Sequence, residues 1–162
     1  AMAESWLAPQ VPEGDIDVSE LLRLGSGAPL LALQYLEDGG LATQQKLVRY
    51  WAGVLSGETN PMSVSRDFEG ISAAILIDEL LKIIYLFILH KSATAPPTSG
   101  GDSGLNRYLK ACINGLNFND LYAILDVVFD AKRQARGPTN PRDADLLDPI
   151  WLALDEFRTR KT

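Results

Sequence analysis

The chain has 162 residues, which suits one compact domain with a small appendage, and at that length about 70% of the unfolded surface can be buried. Apolar residues make up 46% and charged residues 22%, ordinary globular proportions, and the formal net charge is −6. An acidic domain has no general attraction to phosphate backbones, which argues against stand-alone nucleic-acid binding, and the single cysteine, Cys112, excludes an internal disulfide and fits a reducing compartment.

Ala1-Met2-Ala3 reads as a cloning remnant, and the start at Glu4-Ser5-Trp6-Leu7 as part of something longer, without the features of a secretory signal. Asp17 is placed as an N-cap with Glu20 three residues on, and Ile16 and Leu21 are spaced as a hydrophobic staple. The helix they open runs to Leu24, where Gly25 can close it. After Ser26-Gly27-Ala28, Pro29 suits the first turn of a second helix, which runs through Leu36 to Gly39-Gly40.

Thr43 is the expected cap of the next helix. Leu47, Val48, Trp51, Val54 and Leu55 mark its buried face, Gln44, Gln45, Lys46 and Arg49 lie mostly off it, and Gly57 ends it. Asn60-Pro61 predicts a short helix to about Phe68. A central helix spans about Ile71 to His90, with Asp78, Glu79 and Lys82 as a narrow polar stripe. From Ile83 to Leu89 it is apolar all round, which fits a buried helix or one kept partly for an interface. Its charges argue against a membrane span.

Ala93 to Gly104 reads as a polar loop. Leu105, Tyr108, Leu109, Cys112 and Ile113 then restore helical spacing up to Asn114-Gly115. Asn117 caps a further helix whose buried face is Leu121, Ile124, Leu125, Val128 and Phe129; Lys132, Arg133 and Arg136 crowd its last turn before Gly137-Pro138. Leu147, Ile150, Trp151, Leu154 and Phe157 share the face of a last helix, expected to start at Asp148 because Pro149 disfavours a helix interior, with a turn-like lead-in from Asn140. No period-two strand pattern occurs. The fold class is all-α: a helical bundle with a small helical N-terminal unit.

The chemistry-bearing residues are sparse. One histidine and one cysteine cannot assemble a conventional zinc site, so no metal and no cofactor are expected. A catalytic triad or dyad would have to use His90, which a helix C-terminus explains without chemistry. Asp126 and Asp130 read as a solvated face, and a di-iron bundle would need Glu-x-x-His motifs that one histidine cannot supply. Ser26-Gly27-Ala28-Pro29 lacks both phosphate-loop patterns and reads as a turn. The basic groups Lys132-Arg133-Arg136 and Arg158-Arg160-Lys161 sit where helix C-termini attract cations, so direct DNA contact is the weaker reading. Of the aromatic and apolar side chains, Tyr85, Phe87, Ile88, Trp151 and Phe157 are the candidate partner interface.

The run Leu21-Leu22-Arg23-Leu24-Gly25-Ser26-Gly27-Ala28-Pro29-Leu30-Leu31-Ala32-Leu33 resembles the end of the lid domain in bacterial clamp-loader subunits, specifically the delta-prime family of DNA polymerase III. The order that follows is similar: a Leu/Gln-rich helix with Trp51, a long apolar helix with Asp78 and Leu80-Leu81, a polar loop, the Leu121–Arg136 helix, and a closing Leu146-Leu147 … Ile150-Trp151-Leu152-Ala153-Leu154 run. The resemblance covers roughly residues 4–160 and rests on order and spacing rather than one motif. It implies a division into the end of an AAA+ lid at 4–40, with two short helices, and a collar or oligomerisation domain at 41–162, after the remnant at 1–3. The implied role is non-catalytic: a cytoplasmic bacterial assembly domain whose parent belongs to the DNA polymerase III holoenzyme, a DNA-directed DNA polymerase. The implied partners are the delta and tau/gamma subunits. Sliding clamp and primer–template DNA would be met only through the whole complex, and the isolated domain would be monomeric. ATP-binding relatives carry a sensor arginine where Leu30 stands, and an aliphatic side chain cannot contact phosphate. Pro141, Pro149 and the Pro96–Gly101 loop depart from the family pattern. The collar of delta or tau/gamma, an unrelated helical interaction domain and a free-standing DNA-binding helical domain are the competing readings.

Overall fold

The computed structural model describes residues 2–12, 17–24, 27–92 and 104–160, and every regular element among them is helical. The chain divides into two compact units, Ala1–Thr43 and Gln44–Thr162.

The first unit holds α1 (Met2–Leu7), a 3-10 turn (Ala8–Gln10), α2 (Val18–Leu24), α3 (Pro29–Glu37) and the first turn of α4 (Gly40–Ser56). Its core is small: Leu7, Leu21, Leu22 and Ala32, with Ala3, Val11, Val18, Leu33 and Leu36 around them. Met2 and Ala3 lie in α1, and the unit has α1 in addition to the two helices expected. Leu7 is the reason, because a fully buried leucine one turn after Ala3 holds that turn against the cluster. Asp17 does cap α2: its carboxylate accepts the Ser19 backbone N–H at 2.9 Å and the Ser19 hydroxyl at 2.8 Å. Ile16, the Glu20 side chain, Gly25 and Ser26 lie outside the described residues. The bend into α3 uses Gly27 at φ +82°, whose N–H donates to the Leu22 carbonyl at 2.7 Å, followed by Pro29 as the first residue of α3. Thr43 does not cap α4. Its own N–H already donates to the Gly39 carbonyl at 3.1 Å, because Gly39, at φ +72°, turns the chain sharply enough for a helix to start at once.

The second unit contains the rest of α4 with α5 (Pro61–Asp67), α6 (Ala73–Ser92), α7 (Gly104–Gly115), α8 (Phe118–Arg136) and α9 (Asp143–Arg160). Leu47, Val48, Trp51 and Val54 are buried as the α4 pattern predicts; Gln44, expected off that face, is buried too. Asn60 caps α5 by accepting the Met62 N–H at 2.9 Å, with Pro61 in the first turn. α6 starts two residues later than expected and packs against α8 and α9, while α9 also packs along α5. Asn117 and Asp120 form a reciprocal capping box at the start of α8. The residues of the 93–103 loop, and the side chains of Leu105, Tyr108, Leu109 and His90, lie outside the described residues.

Two further expectations are corrected. Phe129 is 43% exposed: the buried line of α8 is Leu121, Ile124, Val128 and Ala131, and Phe129 is turned one residue, about 100°, off that line. And α9 runs unbroken from Asp143, with Pro149 inside it. Proline removes one intrahelical donor, but Leu146, Leu147, Ile150, Trp151 and Leu154 are all buried on one side, and that burial outweighs a single lost hydrogen bond.

Pro149→Ala restores a donor at an exposed helical position, so it is expected to raise stability by about 1–3 kcal/mol in urea unfolding. Gly53→Ala is expected to do the reverse, although alanine is the better helix former. A Cβ at position 53 collides with the Thr59 hydroxyl and comes within 3.1 Å of the Thr59 Cβ, in a turn where the Thr59 N–H donates to the Gly53 carbonyl. A loss of about 1–2 kcal/mol in the same measurement is the expected result.

Candidate functional site

Chemistry can be placed before surfaces. Cys112 is fully buried, with its thiol 3.8 Å from the Val48 carbonyl oxygen, and burial pushes its pKa up to about 12. A thiol in that state is packing material and not an activated nucleophile. Asp126 and Asp130 are exposed, and Asp130 is engaged by Arg133. No group of three or more His, Cys, Asp or Glu among the described residues could hold a metal ion, and no helix among them is long and apolar enough to cross a membrane.

The polar stripe of α6 splits into two pairs. Lys82 bonds Glu79 at 2.9 Å along the helix, whereas Asp78 reaches across to Lys132 of α8 at 3.0 Å. Two basic residues near the C-terminus are paired as well, Arg158 with Asp155 at 2.8 Å and Arg160 with Glu156 at 3.8 Å, while Lys161 lies outside the described residues. Paired cations offer little net charge to a phosphate backbone.

The five candidate interface residues separate into core and surface. Phe87 and Trp151 are corrected to core: each is at most 1% exposed, and both belong to the main cluster around Trp51. They share the face of α6 and α9 that carries the apolar spacing, so helix phase turns both rings inward. Ile88 and Phe157 are partly buried against the same cluster, with the Arg160 guanidinium 5.5 Å from the Phe157 ring. Tyr85 is exposed, at 61%. Leu30 is 71% exposed in the first turn of α3, in the other unit.

Around Tyr85 the structure adds residues that the sequence reading missed. Ile75, Asp78, Lys82, Tyr85 and Leu89 follow each other at spacings of three and four, so they form one stripe along α6, and all five are exposed. On α8, Phe118, Tyr122, Leu125 and Phe129 repeat the same spacing; Leu125 is half-buried and the other three are exposed. α6 and α8 run antiparallel. The Asp78–Lys132 bridge joins the start of one to the end of the other, and the Lys91 ammonium lies 5.9 Å from the Phe118 ring at the opposite end. The Phe118 and Tyr122 rings stack at 6.5 Å. Two neighbouring helices thus present Tyr85, Phe118, Tyr122 and Phe129 to solvent, with Ile75 and Leu89 beside them. The signal was present in the sequence: Asp78 and Lys82 mark the wet side of α6, and Tyr85 is in phase with both.

No protein-family model, curated protein or solved structure matches this chain.

At pH 8 the native chain should react with a thiol-specific disulfide reagent at least about a thousand-fold more slowly than the urea-unfolded chain, because the raised pKa leaves almost no thiolate. Rapid modification of the native protein would show that Cys112 is accessible.

Proposed function

We propose that the chain is a non-catalytic assembly domain, the collar of a delta-prime-type clamp-loader subunit, which binds neighbouring subunits so that a sliding clamp can be loaded during DNA replication. The observation that carries the assembly reading is the two-helix face of Tyr85, Phe118, Tyr122 and Phe129. Tyrosine and phenylalanine are among the residues enriched in protein interfaces, and several of them exposed on two paired helices mark a contact site. The sequence order from Leu21 to Leu154 supports the clamp-loader assignment, with delta and tau/gamma subunits as the partners. Leu30 fits a subunit that does not sense ATP: its exposed side chain has no donor to offer a phosphate.

A subunit in a ring of unlike members needs two different faces. The α6/α8 face is assigned to one neighbour. Gel filtration of the chain alone, and mixed with the purified collar of delta or of tau/gamma without nucleotide or DNA, is the test. The chain is expected to elute as a monomer and to form a complex with a partner collar, and Tyr85→Ala with Phe129→Ala is expected to weaken that complex by at least about tenfold. A tight homo-oligomer that ignores both partners would overturn the assignment.

A further inference from the structure

A second feature of the larger unit lies away from the α6/α8 face. Between α5, the turn after it and the first two turns of α9 runs a groove of about 390 Å³. Met62, more than half exposed, stands on its wall, with Ile71 and Leu147 as further apolar lining. Glu69, Asp143 and Asp148 supply three carboxylates, against the single guanidinium of Arg66. Among the described residues none of the three has a cationic partner; Asp148 accepts only the Ser65 hydroxyl, at 2.5 Å.

The surrounding charge is lopsided. Residues 58–70 and 138–148 carry Glu58, Asp67, Glu69, Asp143, Asp145 and Asp148 against Arg66 and Arg142, and Lys46 of α4 reaches in to the Asp67 carbonyl and the Phe68 ring, which leaves an excess of three negative charges. Arg142 is already committed to Asp145, whose carboxyl it holds below the usual carboxylate range by hydrogen bonding. The lining carboxylates do not form a cluster fit for a metal ion. A groove of this size is near the low end of the range for ligand sites, about 300–1,000 Å³, and holds about two side chains rather than a folded element. An apolar wall with unpaired carboxylates calls for an occupant that has an apolar group and a cationic group close together.

We propose that this groove docks an extended segment of a partner protein, seating a lysine or arginine against Glu69, Asp143 and Asp148 and a neighbouring aliphatic side chain against Met62. This site goes beyond the assembly face and is independent of it.

The test is fluorescence anisotropy at low salt with the whole chain and a labelled peptide, Lys-Leu-Arg-Lys-Leu-Gly, against the same peptide with glutamate at its basic positions. The basic peptide is expected to saturate with a Kd below about 1 mM, and the acidic peptide not to bind. Glu69→Gln with Asp143→Asn, both exposed positions that leave the fold intact by circular dichroism, is expected to weaken binding at least about fivefold. Met62→Ser is also expected to weaken it, whereas Asp126→Asn, a remote exposed carboxylate, and Tyr85→Ala with Phe129→Ala should leave it unchanged. The proposal is overturned if the peptide does not saturate, if Asp126→Asn weakens binding as much as the groove variants, or if Met62→Ser has no effect. Loss of binding in the Tyr85/Phe129 variant would instead place the peptide on the assembly face.

Discussion

Everything in the larger unit is arranged around two tryptophans. Trp51 of α4 and Trp151 of α9 meet edge to face with ring centroids 6.5 Å apart and planes at 75°, and Phe87 of α6 meets Trp51 at 5.6 Å and 73°. These spacings are within the favoured range for aromatic pairs. Three helices far apart in sequence are thereby fixed at one point, and the aliphatic residues of α8 close over it. The arrangement has a cost: among the described residues neither indole N–H has an acceptor, although both are buried. The core keeps them because the rings fill space that no smaller side chain could. Removing either ring would open a cavity bordered by two other helices at once.

That centre also explains which aromatic residues are left for the surface. Helix phase, not residue size, divides them. Phe87 and Trp151 are in phase with Ile84, Ile150 and Leu154 and turn inward; Tyr85 is in phase with Asp78 and Lys82 and turns outward. On α8 the same logic moves Phe129 away from Val128. The face that results is mostly aromatic but crossed by charge, and the Asp78–Lys132 bridge pins its two helices together. The proposed contact surface is therefore held in shape by contacts inside the unit before anything binds, which lowers the ordering cost of association.

Local signals were the most legible. The caps at Asp17, Asn60 and Asn117, the prolines at helix starts and the glycines at Gly39 and Gly57 are all visible in the chain, and the structure uses each of them. What could not be read was anything decided by packing between helices. Pro149 argued locally for a helix start at Asp148, but the burial of Leu146 and Leu147 extends α9 back to Asp143. The proposed contact face was only partly legible for the same reason. Tyr85 was picked out by its type, while Phe118, Tyr122 and Phe129 required knowing which side of α8 meets α6. The groove beside α5 was invisible, since its two walls come from residues about 80 positions apart.

α9 links the core to the charge distribution. Its first two turns carry Asp143, Asp145 and Asp148, while its last turn carries Arg158 and Arg160. An 18-residue helix is about 27 Å long, well beyond the screening length of about 8 Å at physiological salt. At the C-terminal end Arg158 and Arg160 are matched by Asp155 and Glu156, so that end is close to neutral, and the acidic excess of α9 stays in its first two turns. A charged surface therefore senses one acidic end of this helix, a bias on the encounter that fades as salt is added.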